Sequence, residues 1–220
     1  LLWLPRPALL MLAIAVVAGH NLFDGLRVQG NGLLAVLWKV LHQRDWIEAG
    51  TLRLRTSYPV LPWIGVIALG YLMGPWFGRA RAPEQRQRWL LWAGVSALAL
   101  FALLRLANEY GDAPWQYQAT TLRTWLSIFN VTKYPPSLQF LLLTLGVGVL
   151  LLRLYEWPPL ARALQPLADI GAAPMFFYLL HLYVLKGLYL AALAAWGPTH
   201  GELYALDSVS GLLLVACALA

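Results

Sequence analysis

The residues best placed to do chemistry lie where polar sequence meets a long apolar segment, in FNVTKYPPSLQFLLL at 129–143. Proline disfavours an α conformation at the residue before it, so we expect an extended Tyr134 and a helix that begins at one of the two prolines, 135 or 136. The backbone N–H and hydroxyl groups of Ser137 and the charge of Lys133 would then sit at the positive end of that helix. This arrangement suits an anion such as a phosphate, a carboxylate or a thiolate.

The same segment also has an explanation that needs no ligand. The prolines remove two backbone N–H donors that a helix start must otherwise satisfy, which is favourable in hydrocarbon, and Lys133 can extend its ammonium group into water. Tyr58-Pro59 opens a second apolar segment in the same way, with Pro62 in the first turn. Two polar helix starts would be neighbours if these two helices pack together.

Three ionisable residues in or beside apolar sequence are candidates for acid–base chemistry. His181 has Tyr178 one turn before it on the same helical face, and ionisable groups at membrane depth usually face the bundle interior. A neutral His181 bonded to Tyr178 or to a backbone carbonyl explains the same pattern without a ligand. His20 and Asp24 lie four residues apart, so a continuing helix would make them a base and its orienting carboxylate; a solvated helix end also accounts for them.

Composition identifies the setting of these residues. Of the 220 residues, 60% are hydrophobic and 12% charged, whereas a soluble domain has about 45–50% and about 25%. The net charge of +6 comes largely from arginines in short loops, where they commonly set membrane orientation, so we expect no nucleic-acid partner. Cys217 is the single cysteine and the histidines lack ligand spacing, so we expect neither a disulfide nor a metal site.

Apolar periodicity predicts an all-α, polytopic transmembrane bundle in one unit, residues 1–220, with the lipid bilayer as its partner. A further helix over 31–43 is expected to lie in the membrane interface. Glycines four apart at 70, 74 and 78 would let another helix approach closely, and a homo-oligomer through such packing is an option. The six apolar segments, A to F, run over 7–19, 58–77, 89–106, 136–154, 174–196 and 208–220.

The arginine-rich loop GRARAPEQRQR, which contains residues 79–88, sets the expected orientation. By the positive-inside rule this loop faces the cytoplasm, and alternation places the connections A–B and C–D on the outer side. At the outer end of segment C, Arg105 and Glu109 have the i, i+4 spacing of a local ion pair. The sequence therefore predicts an integral membrane protein whose polar, aromatic-rich connections lie outside.

Three segments, in their order and spacing, resemble bacterial membrane proteins related to the catalytic domain of heparan-α-glucosaminide N-acetyltransferase. They are SYPVLPWIGVIALGYLMGPWF at 57–77, FNVTKYPPSLQFLLLTLG at 129–146 and APMFFYLLHLYVLKGL at 173–188, and GHNLFDGL at 19–26 fits as well. The resemblance implies an acyltransferase of the bacterial inner membrane that moves an acyl group, acetyl in the lysosomal relative, from coenzyme A to an amine or hydroxyl of a glycan or glycolipid. On this basis the donor and substrate would contact Tyr58, Asn130, Lys133, Tyr134, Ser137, Tyr178 and His181.

Proteins of that family begin with further membrane helices and a histidine regarded as catalytic. We expect that part upstream of residue 1, so this chain would be a C-terminal portion, and the resemblance assigns no catalytic residue here. His20, Asp24 and His181 remain the candidates. Two other classes stay open: a transporter or exporter subunit that uses His181 and the polar helix starts as a permeation path, and a helix scaffold without a ligand.

Overall fold

The structure is a computed structural model, and it describes residues 4–50, 52–79 and 81–197. Packing divides the chain into two compact units, Leu1–Trp157 and Pro158–Ala220, and each is described by itself. The helices of the first unit are α1 (Arg6–Gly19), α2 (Leu33–Leu41), α3 (Leu61–Met73), α4 (Pro83–Ala107), α5 (Thr121–Phe129) and α6 (Leu138–Tyr155). Those of the second unit are α7 (Pro158–Ala163), α8 (Gln165–Gly171) and α9 (Pro174–Trp196).

The described chain is mostly helical, and four of its helices are long and apolar enough to cross a membrane. They are Arg6–Phe23, Pro83–Ala107, Leu138–Tyr155 and Pro174–Ala194, which correspond to segments A, C, D and E. Segment B forms a shorter apolar helix over Leu61–Phe77, whose last turn, Gly74–Phe77, is a 3₁₀ helix. Segment F lies outside the described residues, so six spans stay a prediction.

Two antiparallel helix pairs build the first unit, α1 with α3 and α4 with α6. They meet around Val17 of α1 and Leu138 and Leu141 of α6, against which Trp63 of α3 and Leu104 of α4 also pack. This cluster lies where α1 and α4 end and where α3 and α6 begin. The connections after α1 and α4 therefore meet at one end of the unit, as the alternation of segments A to D predicts.

At the opposite end, Glu156 fixes the start of α4 to the end of α6. It accepts hydrogen bonds from Arg86 Nε and Gln87 Nε2, each at 2.6 Å, and Arg86 is partly buried there. The arginine-rich segment was predicted as a loop, but its residues 83–88 form the start of α4. They lie at the end away from the meeting point of the polar connections.

A small sheet departs from the all-α prediction. Strands β1 (Trp46–Ala49) and β2 (Leu52–Arg55) form an antiparallel hairpin in the connection between α2 and α3. The turn uses Gly50 at φ +63°, a conformation that glycine adopts readily. The alternation LRLR at 52–55 is a strand pattern of period two, and it was present in the sequence.

The close contact between α1 and α3 is made at Gly65 and not at the glycines expected from their spacing in segment B, 70, 74 and 78. No described atom beyond the helix's own backbone lies within 4 Å of a Cβ built at Gly70 or Gly74. A Cβ built at Gly65, by contrast, would lie 2.7 Å from Val17 Cγ2 and 3.1 Å from the Ala13 carbonyl oxygen. Gly70 and Gly74 therefore meet no helix within the described part of the chain, because spacing alone does not say which side of a helix meets its neighbour. Packing of that face against a second copy stays a prediction.

Gly94 and Gly148 offer a matched test of the α4–α6 contact. A Cβ at Gly94 would lie 2.6 Å from Leu150 Cγ and 3.0 Å from the Gly146 carbonyl oxygen, whereas no described atom outside its own helix backbone lies within 4 Å at Gly148. We expect Gly94→Ala to lower the free energy of unfolding by about 1–3 kcal/mol, because a backbone atom cannot yield. Gly148→Ala should leave it unchanged or raise it by up to ~1 kcal/mol through helix propensity. Unfolding by titration of a denaturing detergent measures both, and equal losses would contradict the close contact.

Candidate functional site

A cavity of about 460 Å³ lies at the end of the first unit where the polar connections meet. Its volume is within the range of about 300–1,000 Å³ that is usual for small-molecule sites. The wall comes from the residues that follow α1, α2 and α4 and from those that precede α6. The charged or titratable residues that line it are Asp24, Arg27, His42, Arg44, Asp112 and Tyr134.

The start of α6 corrects the prediction for segment D. The helix begins at Leu138, and Ser137 is its N-cap, whose hydroxyl accepts a hydrogen bond from Phe140 N at 3.0 Å. The reason is physical: a serine N-cap satisfies a free helix donor, and a proline in that position cannot. Tyr134 and Pro135, joined by a cis peptide bond, precede the helix.

The N–H groups at this helix start are already bonded within the protein. Ser137 N donates to the Thr132 carbonyl at 2.9 Å, Leu138 N to Asn21 Oδ1 at 2.9 Å, and Gln139 N to the Gly111 carbonyl at 3.2 Å. An external anion would have to displace these acceptors. The predicted anion site at the mouth of α6 is therefore occupied by the protein itself.

Asp112 supplies the negative charge at this helix start. Its carboxylate accepts hydrogen bonds at 2.7 Å from Ser137 Oγ, from both N and Oγ1 of Thr132, and from Ala113 N. Such charge-assisted bonds are the strong ones in proteins. The chemistry expected for the α6 mouth is present, but a carboxylate of the chain serves as the anion.

His42, at the end of α2, is the residue in the cavity best suited to acid–base chemistry. Its side chain is 3% exposed, and Nε2 lies 3.1 Å from Asp24 Oδ1, within ion-pair distance although not in good hydrogen-bond geometry. Asn21 Nδ2 holds the other oxygen of Asp24 at 2.8 Å. Nδ1 of His42 is buried without a hydrogen-bond partner in the described part of the chain. Leaving such an atom unsatisfied is costly, so a water molecule or a ligand is needed to bond it.

Burial lowers the pKa of His42 below its ordinary value of 6.5. Asp24 opposes this shift, and the neighbouring His20 ring, whose centroid is 6.0 Å away, adds to it. The lowered pKa favours the neutral imidazole near pH 7, which is the form that can accept a proton.

His20 does not form the expected pair with Asp24. Helix α1 gives way to a 3₁₀ turn at His20–Phe23, and the ring, which is 1% exposed, turns inward. Its Nε2 lies 2.8 Å from the Pro136 carbonyl oxygen and its Nδ1 lies 3.0 Å from that of Val17. With both nitrogens directed at backbone acceptors, His20 connects α1 to the chain before α6, and His42 takes its place beside Asp24.

Tyr134 and Tyr58 bring the two Tyr-Pro sequences side by side. Their hydroxyl groups share a hydrogen bond of 3.1 Å, and their rings meet edge to face with centroids 4.9 Å apart. The Lys133 ammonium and the Arg44 guanidinium lie 5.3 and 5.5 Å from the Tyr134 ring centroid. The bond to Tyr58, together with these two charges, lowers the pKa of the Tyr134 phenol. Tyr134 and Ser137 thus line the cavity, and Lys133 and Tyr58 flank Tyr134.

Asn130 takes part through its backbone rather than its side chain. Its carbonyl accepts a hydrogen bond of 3.1 Å from Arg105, whose guanidinium also binds the carbonyls of Ser127, Ile128 and Ala113 at 2.6–2.9 Å. Arg105 is buried, and it does not form the ion pair with Glu109 that the i, i+4 spacing suggests. Four carbonyl acceptors satisfy the guanidinium better than one exposed carboxylate would.

His181 and Tyr178 belong to the second unit. The His181 Nδ1 lies 3.2 Å from the Phe177 carbonyl oxygen of its own helix, and the Tyr178 ring lies 5.2 Å away between centroids. This local bond matches the explanation of His181 that needs no ligand. A role in binding stays a prediction for both residues.

Comparison with protein-family models, with curated proteins and with solved structures gives no significant match. The family resemblance of the sequence therefore stays a prediction, and the site is interpreted from its own geometry. Among the described residues no group of three His, Cys, Asp or Glu side chains stands together in a way that would hold a metal ion.

Sequence reasoning did not include His42, Arg27, Arg44 or Asp112 among the site residues. The available signal for His42 was its place beside Lys39 on the polar side of an otherwise apolar helix. A polar side that narrow, on a helix with leucines all round it, indicates residues that face a protein interior. Its pairing with Asp24, which is 18 residues earlier, could not be read from spacing.

The depressed pKa of His42 makes stability depend on pH. The folded protein binds fewer protons at this group than the unfolded chain. The contribution of His42 to the free energy of unfolding is therefore complete above pH 6.5, and it is lost as the pH falls through the lower pKa of the folded state. We expect the unfolding midpoint to drop between about pH 7.5 and about pH 5.5, and to drop less in His42→Gln, which does not titrate there. Thermal unfolding in detergent at both pH values measures this. Equal drops in the two proteins would show that His42 is not a group with a depressed pKa.

Proposed function

We propose that the protein is an integral membrane acyltransferase that moves an acyl group, acetyl by analogy, from coenzyme A to an amine or hydroxyl of a glycan or glycolipid. One observation carries the proposal. A buried histidine, His42, is among the residues that line the cavity; one ring nitrogen lies 3.1 Å from the Asp24 carboxylate, and the other is buried without a partner among the described residues. The sequence resemblance supplies the reaction class, and the apolar helices support the membrane location.

In this scheme His42 is the general base and Asp24 orients it. The acceptor's N–H or O–H proton passes to His42 Nδ1 while the acceptor atom attacks the carbonyl carbon of the thioester. The carbon–sulfur bond then breaks, and the proton returns to the leaving thiolate. A carboxylate behind the imidazole stabilises the imidazolium that forms in between.

The donor would be held by positive charge on the cavity wall. Arg27 and Arg44 line the cavity and are exposed, and the described ion pairs involve neither of them. Arginine is well suited to the diphosphate of a nucleotide-like donor, because its planar group binds phosphate oxygens in pairs. Tyr134 lies beneath Arg44 and Lys133, so Tyr134 and Lys133 keep the donor role expected for them, and Arg44 is added to it. Ser137 does not keep the donor-binding role expected for it, because its hydroxyl is bound to Asp112.

Acyl transfer is tested with radiolabelled acetyl-coenzyme A, a panel of amino sugars and lipid-linked glycans, and the protein in phospholipid nanodiscs. We expect His42→Gln to lower the transfer rate by roughly 10²–10⁴-fold, the usual contribution of a positioned base. Asp24→Asn should lower it by a smaller factor. Glu48→Gln is the matched charge control, because Glu48 pairs with Arg53 on the hairpin and does not line the cavity.

Two results would contradict parts of the proposal. Transfer by the wild-type protein with an unchanged rate in His42→Gln would leave the reaction class standing and remove His42 as the base. No transfer and no donor binding across the panel, with uptake of a labelled glycan into proteoliposomes, would favour the transporter instead.

The proposal also has a consequence for sidedness. The cavity and the arginine-rich loop lie at opposite ends of the first unit, so a cytoplasmic loop places the cavity on the outer side. We expect the acceptor to be acylated from the outer side, which can be measured with an impermeant glycan acceptor added to right-side-out and to inside-out vesicles. Faster labelling in inside-out vesicles would reverse the predicted orientation without affecting the assignment of His42.

A further inference from the structure

Helix α5, which the sequence did not predict as a separate element, carries a stripe of large apolar side chains. Leu122, Trp125, Leu126 and Phe129 follow the spacing i, i+3, i+4 and i+7 and therefore share one face. Each of the four is between 53% and 69% exposed. In water this face would be unfavourable, since contiguous exposed apolar surface is rare on soluble proteins unless a partner covers it.

The opposite face of α5 is attached to the protein. Ser127 Oγ accepts a hydrogen bond from Gln116 N at 3.1 Å, and Thr124 Oγ1 accepts one from Gln118 N at 3.0 Å. Thr120 caps the first turn by accepting a bond from Arg123 N at 3.2 Å. The polar side thus faces the connection that precedes the helix, and most of the surface of the apolar stripe is left exposed.

Two contacts fix the depth of α5 relative to the spanning helix α4. Arg105, in the last turn of α4, binds the carbonyls of Ser127 and Ile128 near the end of α5. Phe129 stacks on Phe101, with ring centroids 6.3 Å apart. Phe101 is six residues before the end of α4, a distance of about 9 Å along the helix axis. The end of α5 therefore lies level with the last two turns of a helix long enough to span a membrane.

The apolar surface of α4 occurs at the same level. Leu103 and Leu106, in the last turns of α4, are 64% and 78% exposed. If α4 spans a bilayer, these side chains meet lipid near its boundary, and the stripe on α5 lies at the same height. An amphipathic helix that lies in a bilayer surface buries its apolar face about 5–10 Å into the boundary between headgroups and acyl chains, which agrees with this depth.

We propose that α5 is an in-plane membrane helix, with Leu122, Trp125, Leu126 and Phe129 inserted between the headgroups and acyl chains of a phospholipid bilayer. The chain passes from Phe129 directly into residues 130–137, which form one wall of the cavity. Lipid contact at α5 therefore holds that wall at the membrane surface, where an amphiphilic ligand would arrive. The placement of α5 depends on the membrane location of α4 and not on acyl transfer.

The test uses nitroxide labels on the full chain in nanodiscs of phosphatidylcholine and phosphatidylglycerol. Cys217, the single native cysteine, is first replaced by Ala, and a label is attached in Leu126→Cys, with Leu122→Cys as a second position on the stripe. Arg123→Cys is the matched control, because Arg123 is exposed on the same helix about 100° away from Leu122.

Accessibility to oxygen and to a water-soluble nickel chelate is then compared by electron paramagnetic resonance. We expect the labels at 126 and 122 to collide more with oxygen than with the chelate, and the label at 123 to show the reverse. Equal access of the chelate to all three positions would place α5 in water and overturn the proposal. Dipolar broadening between labels at 126 would also overturn it, because a second copy of the chain, and not lipid, would then cover the stripe.

Discussion

The hydrogen bonds that Asp112 accepts are the interaction on which the polar end of the first unit depends. Through Thr132 and Ser137 this carboxylate joins the end of α4 to the start of α6. Asn21, which follows α1, is joined to the same helix start because its side-chain oxygen accepts a hydrogen bond from Leu138 N. Near a bilayer, water cannot be relied on to satisfy the donors of a helix start. Because the chain supplies an acceptor for each of these donors, the ends of α1 and α4 and the start of α6 are held together, and the space between their connections becomes a defined cavity.

Helix α2 shows the opposite amphipathicity to a soluble surface helix. Lys39 and His42 are buried against the connections, and Lys39 Nζ donates to the Trp46 carbonyl at 2.8 Å, whereas Leu33 and Leu34 are exposed. A helix of this kind would be costly in water, where leucines prefer the interior and lysines the surface. In a membrane interface the same arrangement directs polar groups at the cavity and apolar groups at lipid.

The two buried histidines at this end differ in their bonding because their surroundings differ. Both are almost inaccessible and their rings are neighbours. His20 has both ring nitrogens within hydrogen-bond distance of backbone carbonyls, and the N–H of a neutral ring bonds one of them, so the ring connects α1 to the chain before α6. His42 has a carboxylate on one side and no described partner on the other, and burial lowers its pKa so that the neutral form dominates. The positions of Asp24 and Pro136 decide which of the two rings lies beside a carboxylate and which lies against a backbone carbonyl.

Composition and apolar periodicity determined the helical class, the location of four long apolar helices and the end at which the polar connections meet, because these properties follow from runs of residues local in the chain. The sequence also marked Tyr58, Tyr134 and Ser137, since proline and serine restrict the backbone at a helix start. The tertiary structure alone decided that Asp24 pairs with His42 and not with His20, that Asp112 fills the anion site of α6, and that Gly65 rather than Gly70 meets a neighbouring helix. Each of these depends on which face of one element meets another far away in sequence. Spacing within a segment carries no information about that choice.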